Sequence, residues 1–297
     1  IVSLVRRSSG VMAASVSWRP GTPPLVDGSA GARVEVPIVS QAAHELVIAT
    51  GNPHKVDELS AILASDLAAL GVRLVGLQDL EARGMGPFRE PEETGGTFDL
   101  NAAIKARSYA QQTGMACLAD DSGLEIDALD GRPGVISSHY FNDGRTDGAA
   151  AGMGRAERDR LNIDRVLNEL RGVEFERRSA RFVCVMATSG LDAPGDAGRP
   201  ADRLSGPTDP LAGVRLFRGS FEGCIGLPAG ECPPDRPWRL VPRGAHGFGY
   251  DPIFLVGPGR ARTSAELGPA EKNRVSHRAR AAELLGAWLR AGGVHTL

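Results

Sequence analysis

The sequence lacks both a long hydrophobic run and a strong excess of charge. No apolar segment approaches the ~18 residues that indicate a membrane-spanning helix. The formal net charge is −2, so the chain as a whole does not attract nucleic acid or an anionic membrane surface. An anionic ligand would need a local cluster of basic residues. We therefore predict a cytoplasmic protein that binds neither nucleic acid nor membrane.

Cysteine is also scarce, and its spacing argues against two kinds of structural site. The four cysteines are Cys117, Cys184, Cys224 and Cys232, and none of them forms a C-x-x-C pair. Two of them lie in apolar, strand-like segments. This pattern favours reduced, buried thiols over a disulfide framework or a zinc site.

The composition divides the chain into a short first part and a long second part. Residues 1–44 are rich in Ser, Gly, Pro and Ala, have no acidic residue before Asp27 and lack sustained periodicity, which is typical of a flexible extension. Their arginines and serines resemble a transit peptide weakly, although a disordered tail or an upstream start explains them better. We predict that residues 45–297 form the folded domain.

Strand-like and helix-like segments alternate from His44 onwards. Strand patterns occur in "ELVIAT", "VRLVGL", "MACLA", "EIDAL", "ARFVCVMAT", "VRLFRGSFEGCIG" and "YDPIFLV". Helical periodicity occurs in "PHKVDELSAILASDL", "TFDLNAAIKARSYAQQTG", "RDRLNIDRVLNELRG" and a final helix that ends near Gly292. The alternation predicts an α/β fold with a largely buried sheet, and the Pro- and Gly-rich residues 189–213 are expected to form a surface loop.

The stretch "ATGNPHK" joins a predicted strand to a predicted helix. Free backbone N–H groups and the positive end of the helix dipole suit a phosphate at such a junction. Lys55, in the first helical turn, opposes this dipole unless an anion binds there. The alternative is a simple strand-to-helix turn, because the stretch lacks the second glycine and the Ser or Thr of a P-loop.

A second stretch, "EETGGTFDLNAAIKA", carries a polar stripe on a helix that Thr97 is expected to cap. Asn101 and Lys105 are four residues apart and therefore share one helix face. The stripe is either part of a binding site or simply solvated.

A third stretch, "CLADDSGLEID", runs from an apolar segment into two adjacent carboxylates. We expect a turn at "SG", and alternation that sends Asp120 and Asp121 to opposite sides of the chain at the end of a strand. Sites made only of carboxylates suit Mg²⁺, and Glu92 or Glu93 is a candidate for the second ligand. The alternative is an Asx-type turn in which Asp121 or Ser122 caps backbone N–H groups.

The C-terminal part contributes "GFGYDP" and "EKNRVSHR". The glycines on both sides of Phe248 expose an aromatic ring suited to stacking on a base. If Ser276 caps the last helix, His277 and Arg278 lie in its first turn, where positive charge is unfavourable without a ligand. Alternatively, the helix begins near Pro269 and these residues form an exposed basic face.

Taken together and in this order, the motifs resemble the inosine/xanthosine triphosphate pyrophosphatase family. The matching pieces are "TGNPHK", "EETGGTFDLNAAIKA", "ADDSGLEIDALDGRPGV", "ARFVCV", "GFGYDPIF" and "AEKNRVSHR", and the resemblance covers residues 45–289. It implies a two-lobed α/β fold with a central mixed, twisted sheet flanked by helices and a cleft between the lobes. It also implies Mg²⁺-dependent hydrolysis of ITP, dITP and XTP to the monophosphate and pyrophosphate by a homodimer.

The resemblance assigns roles to individual residues. Asp121 corresponds to the general base and a metal ligand, Glu92 to the other metal ligand, and Lys55 and Lys105 to catalytic lysines that face the phosphates. The substrate-binding positions are Thr50, Gly51, Asn52, Pro53, His54, Lys55, Ser122, Phe248, Gly249, Tyr250, Asp251, Lys272, His277 and Arg278. Donors such as Arg278 would favour hypoxanthine and xanthine, which carry a 6-oxo acceptor where adenine has a 6-amino donor.

The sequence departs from the family pattern at two places. His139 stands in "GVISSHY" where family members commonly carry arginine, and the loop between "FEGCIGLP" and "GFGYDP" is enlarged. The alternatives are a pyrophosphatase of another nucleotide preference and a nucleotide-binding protein without turnover.

Overall fold

The computed structural model describes residues 44–50, 53–147, 151–191 and 211–292, and the backbone of two short segments nearer the N-terminus. The chain divides into two units, residues 1–41 and residues 42–297. In the first unit, strand β1 (Val5–Arg6) pairs antiparallel with strand β2 (Met12–Ala13). Most of the predicted extension and most of the predicted loop at residues 189–213 lie outside the described residues.

The second unit contains a mixed sheet of seven strands in the order β4-β3-β5-β6-β7-β8-β9. The strands are β3 (His44–Ile48), β4 (Val72–Gly76), β5 (Cys117–Ile126), β6 (Ser179–Ser189), β7 (Val214–Ile225), β8 (Phe254–Val256) and β9 (Arg262–Thr263). Strand β3 runs parallel to β4 and β5, and every later neighbour pairs antiparallel. The predicted mixed α/β architecture is confirmed.

Helices flank this sheet. They are α1 (Pro53–Ala69), α2 (Leu77–Ala82), α3 (Phe98–Thr113), α4 (Arg155–Glu169), α5 (Pro269–Val275) and α6 (His277–Arg290), and a 3-10 segment spans Gly134–Asn142. The predicted caps of α3 are both present: Thr97 Oγ1 accepts from Leu100 N at 3.2 Å, and Gly114 ends the helix at a φ of 70°. Within the described part of the chain, no helix is long and apolar enough to cross a bilayer.

The core lies on both faces of the sheet because successive side chains of a strand point to opposite faces. Leu118 of β5 packs in a cluster with Leu63 of α1 and Leu285 of α6. Its neighbour Ala119 packs on the other face with Ala102 of α3. A third cluster surrounds the far end of β5 and draws on α4, β7 and β8. The long strands thus connect two lobes, each with its own apolar packing.

Strand β5 continues through the acidic stretch, so the expectation of a turn at "SG" is wrong. All residues of Cys117–Ile126 pair with β6 in antiparallel register. Gly123 has a packing role instead, because a Cβ atom there would overlap Ser137 Oγ and the carbonyl oxygen of Gly134. The glycine therefore lets the 3-10 segment lie directly against the strand.

Candidate active site

A cavity of about 640 Å³ lies where α3, β5, the 3-10 segment, α4, the loop at residues 247–251 and the α5–α6 junction meet. The predicted site residues that line it are Thr50, Lys55, Lys105, Asp121, Ser122, Phe248, Gly249, Tyr250, Asp251, Lys272, His277 and Arg278. The fold therefore brings together motifs that are more than 200 residues apart in the chain.

The remaining predicted site residues are placed differently. Gly51 and Asn52 lie outside the described residues, and Pro53 and His54 begin α1 with side chains that are also outside them. Glu92 is exposed and is not among the residues that line the cavity, whereas its neighbour Glu93 is. The assignment of Glu92 as a metal ligand stays a prediction.

The Asp120 side chain is buried on the face of strand β5 that packs against α1 and α6. Its Oδ2 lies 3.0 Å from Lys55 Nζ and 3.6 Å from Arg278 Nε. Burial by itself would raise the pKa of Asp120, but the charges of Lys55, Arg278 and Lys105 outweigh burial and hold this pKa below its usual range. Asp120 is therefore a permanently ionised anchor for two cations.

Asp121 points to the opposite side, towards α3 and the cavity. Its Oδ1 lies 3.0 Å from Lys105 Nζ, and the same ammonium lies 3.1 Å from Glu93 Oε1. Burial, together with the negative charge of Glu93, raises the pKa of Asp121 despite the opposing effect of Lys105. Its Oδ2 is buried and has no hydrogen-bond partner among the described residues, so this oxygen can accept from a water molecule or bind an ion.

The donor set fits a hard divalent cation. Asp121 offers its unpartnered oxygen, and Glu93 supplies a second carboxylate within reach of the same lysine. Among the described residues, no group of three or more His, Cys, Asp or Glu side chains forms a closed metal site. An open, oxygen-only pair of ligands suits Mg²⁺, which retains waters and is completed by substrate phosphates.

The helix face of Asn101 and Lys105 is buried, so the solvated alternative for this stripe is wrong. Asn101 Oδ1 accepts a hydrogen bond from Gly95 N at 2.8 Å. A Cβ atom at Gly95 would overlap Asn101 and Leu100, which explains the glycine in "ETGG". Asn101 therefore holds the loop that carries Glu92 and Glu93 against α3, and the Lys105 side chain points towards Asp121.

The sequence "EKNRVSHR" forms the junction of two helices, so each alternative for the helix start is partly right. Helix α5 begins at Pro269, and Ser276 Oγ caps α6 by accepting from Ala279 N at 3.2 Å. The expectation of an exposed basic face is wrong, because Arg278 is buried. Its guanidinium donates to Glu58 Oε2 at 2.8 Å and to Ser122 Oγ at 2.9 Å.

The loop at residues 247–251 is held by an ion pair. Lys272 Nζ lies 2.5 Å from Asp251 Oδ2, which also accepts from Phe248 N at 2.9 Å. Gly247 has a φ of 75°, and a side chain there would overlap the Asp251 carboxylate. Tyr250 Oη donates to the carbonyl oxygen of Ser137 at 2.7 Å. The loop is thereby fixed to both the α5–α6 junction and the 3-10 segment.

Two aromatic groups shape the other end of the cavity. The Phe248 ring has Arg155 at 4.4 Å and Lys272 and Arg278 each at 5.4 Å from its centroid. The His277 ring stacks on Phe182 at 5.1 Å with an interplanar angle of 18°. Burial, followed by the charges of Arg278 and Lys272, places the pKa of His277 well below its usual value. His277 is therefore neutral, and its buried Nδ1 has no protein partner.

The sequence-based prediction missed a further group of cavity residues. They are Glu90, Tyr109, Ser137, Ser138, Arg155, Arg158, Asp159 and Asn162. Glu93 was predicted as the alternative to Glu92, and His139 only as a departure from the family pattern. The stretch "RDRLNIDRVLNELRG" predicted a helix, and none of its residues was assigned to the site. One signal was present: Arg155 and Arg158 lie in the first turn of α4, where positive charge opposes the helix dipole.

The cavity lies beside a mixed sheet. Carboxylates face lysines at one end of the cavity, and aromatic rings lie at the other end. This arrangement is typical of an enzyme that binds a phosphorylated, ring-containing ligand. The chain belongs to the Ham1 family, which it matches over residues 46–288. The predicted relationship to nucleotide pyrophosphatases is confirmed by its relatives.

Two relatives and one solved structure illustrate this similarity. A dITP/XTP pyrophosphatase from Methylococcus capsulatus is 40% identical over 247 residues, which cover 83% of this chain and 96% of the relative. A dITP/XTP pyrophosphatase from Bacillus subtilis is 38% identical over 247 residues, covering 83% and 98%. The structure of a HAM1 protein from Coxiella burnetii is 35% identical, has a TM-score of 0.60 and covers 84% of this chain and 100% of that chain.

Proposed function

We propose that the chain hydrolyses the deaminated purine nucleoside triphosphates ITP, dITP and XTP to the monophosphate and pyrophosphate. The observation that carries this proposal is Asp121: a buried carboxylate with a raised pKa, one oxygen on Lys105 and the other without a protein partner, facing the cavity. The names of the relatives, dITP/XTP pyrophosphatases, support the substrate class.

Asp121 acts as the general base in this proposal. A water molecule that donates to its unpartnered Oδ2 is oriented for attack and passes its proton to the carboxylate as the oxygen–phosphorus bond forms. The bond between the α-phosphorus and the bridging oxygen breaks, and pyrophosphate leaves with the bond electrons. The raised pKa of Asp121 makes it a stronger base than an exposed aspartate.

Lys105 and Lys55 supply positive charge along the phosphate chain. Lys105 is held between Asp121 and Glu93, and its buried ammonium retains its proton because these carboxylates outweigh the effect of burial on its pKa. Lys55, at the first turn of α1, is anchored by Asp120. Fixed donors of this kind stabilise charge that develops on phosphate oxygens.

We propose Mg²⁺ as the cofactor, held by Asp121 together with Glu92 or Glu93. When bound, Mg²⁺ neutralises charge on the polyphosphate and makes the phosphorus more susceptible to attack. Glu93 lies beside Lys105 and Glu92 does not line the cavity, so the geometry favours Glu93 while the family resemblance favours Glu92.

The base is expected to stack at the Phe248 end. The N–H groups of Phe248 and Gly249 already donate to Asp251 and Asp159, and Arg278 donates to Glu58 and Ser122. Lys272 is likewise paired with Asp251, whereas Arg278 Nε and His277 Nδ1 have no hydrogen-bond partner among the described residues. A donor at either of these two atoms would favour a 6-oxo group, which adenine lacks.

The test is release of pyrophosphate from ITP, XTP, dITP, GTP and ATP in parallel, with and without Mg²⁺. We expect strong turnover of the deaminated purines that depends on Mg²⁺. Equal turnover of all five triphosphates would contradict the substrate class, and nucleotide binding without turnover would contradict the enzyme assignment.

Three further properties belong to this proposal: a homodimer, a cytoplasmic location, and a catalytic domain that spans residues 45–297. Sedimentation of the purified chain tests the first, and cell fractionation tests the second. A chain that begins at residue 45 should retain full turnover, and a loss of more than a few-fold would contradict the domain boundary.

A further inference from the structure

Arg158 lines the cavity, and the proposed mechanism gives it no role. Among the described residues that line this cavity, Lys55, Lys105, Lys272, Arg278 and Arg155 each lie within 4 Å of a carboxylate oxygen. Among the same described residues, no carboxylate oxygen lies within 4 Å of the Arg158 guanidinium. Its positive charge is thus not neutralised by the protein and suits an anion in the cavity.

The hydrogen-bond partner of Arg158 is the side chain of His139. Arg158 Nη1 lies 3.3 Å from His139 Nε2, and His139 Nδ1 lies 3.0 Å from Ser138 Oγ. Since a guanidinium can only donate, Nε2 accepts, and the ring proton resides on Nδ1 and is donated to Ser138. Burial and the charge of Arg158 both lower the pKa of His139, against the effect of Glu93, which agrees with a neutral ring.

The two elements that carry this pair are firmly joined. Asn162 of α4 donates from Nδ2 to the carbonyl oxygen of Ser138 at 3.1 Å and accepts at Oδ1 from Phe141 N at 2.8 Å. Tyr140 Oη donates to Glu169 Oε2 at 2.6 Å. The position of His139 relative to Arg158 is therefore set by the packing of the 3-10 segment on α4.

One bond to His139 leaves most of the Arg158 donors unused. A guanidinium carries five N–H groups in a rigid fork that matches phosphate oxygens. Within the described part of the chain, Arg158 uses one of them, in the bond to His139. The side chain is half-buried, which strengthens a charge-assisted contact compared with open solvent. Its place in the first turn of α4 is unfavourable unless an anion compensates.

We propose that Arg158 binds the phosphate chain of the substrate and that His139 positions its guanidinium for this contact. This inference rests on the proposed function. It makes Arg158 a substrate-binding residue and His139 a positioning residue.

The test compares Arg158→Gln with Arg160→Gln, a matched control on the same helix whose exposed side chain pairs with Asp164 at 2.9 Å, away from the cavity. Loss of one charge-assisted contact should raise the KM for ITP and the inhibition constant of inorganic pyrophosphate about 10- to 100-fold. The ratio of kcat/KM for ITP to that for ATP should not change, because both carry the same phosphates. The control should stay near wild type.

The role of His139 is tested by His139→Ala and His139→Gln. The glutamine amide oxygen can accept from Arg158, so this variant should retain most of the affinity for pyrophosphate that the alanine variant loses. Arg158→Lys, which keeps the charge, serves if Arg158→Gln does not fold.

Three outcomes would overturn the inference. They are unchanged pyrophosphate inhibition in Arg158→Gln, an altered ITP to ATP ratio, which would indicate a contact with the base, and equal losses in both His139 variants. Failure of the wild-type chain to hydrolyse any triphosphate would instead overturn the proposed function.

Discussion

The two faces of strand β5 differ at the adjacent residues Asp120 and Asp121. Asp120 is sealed against Lys55 and Arg278, and its pKa is held low. Asp121 faces the cavity, shares Lys105 with a second carboxylate, and has a raised pKa. Strand alternation alone separates them.

The difference shows how one residue type can serve two purposes. A carboxylate surrounded by cations stays ionised and organises those cations, which here come from α1 and α6. A carboxylate with less positive charge around it has a raised pKa and is a better base. In the proposed mechanism, Asp120, on the sealed side, therefore maintains the geometry of the site, and Asp121, on the open side, performs the chemistry.

The largest expected effect is on the open side. Asp121→Asn removes the base and one metal ligand but keeps the shape of the side chain, so we expect kcat to fall by about 10²- to 10⁴-fold. Pyrophosphate release measures the loss, and thermal unfolding checks that the variant is folded. A folded variant with turnover near wild type would exclude Asp121 as the base.

Substitution of the buried Asp120 should mainly lower the free energy of unfolding. Asp120→Asn leaves Lys55 and Arg278 without their shared anion, and breaking a buried ion pair costs about 3–5 kcal/mol. Urea unfolding near neutral pH measures this difference in the free energy of unfolding. Since both cations also line the cavity, turnover should fall as well, but less than in Asp121→Asn.

The stability difference between wild type and Asp120→Asn should depend on pH if its cause is electrostatic, and should not if its cause is a packing defect. The folded-state pKa of Asp120 is lowered, so its contribution is fully present above the unfolded-state value of about 3.9 and is lost as the pH falls through the folded-state pKa. The gap between wild type and Asp120→Asn should therefore narrow only in strong acid. A gap that is constant with pH would contradict this account.

A smaller effect is expected at Gly123, which lies two residues after Asp121 in β5. In Gly123→Ala, the new methyl group would overlap Ser137 Oγ and the carbonyl oxygen of Gly134. Overpacking of this kind typically costs about 1–3 kcal/mol. The free energy of unfolding measures the cost, and Gly131→Ala is not a suitable control because its φ is positive. Gly96→Ala, which has open space at its Cβ position, is the matched control.

The smallest expected effect is a shift in a pH–rate profile. The acid limb of kcat/KM follows ionisation of the base, so activity is lost below the pKa of Asp121. Glu93 raises this pKa, and Glu93→Gln should therefore move the acid limb to lower pH, whatever happens to the maximum rate. Glu90→Gln is the control. A shift to higher pH would contradict the assignment of the limb to Asp121.

Local patterns predicted much of the fold. Thr97 and Gly114 identified the ends of α3, and the apolar segments identified the strands, because caps and periodicity depend on near neighbours in the chain. The turn at "SG" was wrong for the opposite reason. Whether Gly123 turns the chain or admits a neighbouring segment depends on what packs against it.

The site was predicted in the same uneven way. Lys55, Lys105 and Asp121 were predicted from local patterns together with the family resemblance. The patterns are a cation in the first turn of a helix, a polar stripe on one helix face, and an acid that follows an apolar run. Arg158 was missed, because only the packing of α4 brings it into the cavity, and the choice between Glu92 and Glu93 stayed open, because it depends on how their loop packs against α3.

The sequence by itself determined the kinds of elements, the alternation of Asp120 and Asp121 along β5, and the family. These follow from spacing and local propensity, which act over a few residues. Only the tertiary structure decided which carboxylate is sealed and which is open, and that Arg158 meets His139 instead of a carboxylate. Burial and the distance between charges set those properties, and both depend on segments that the chain brings together from far apart.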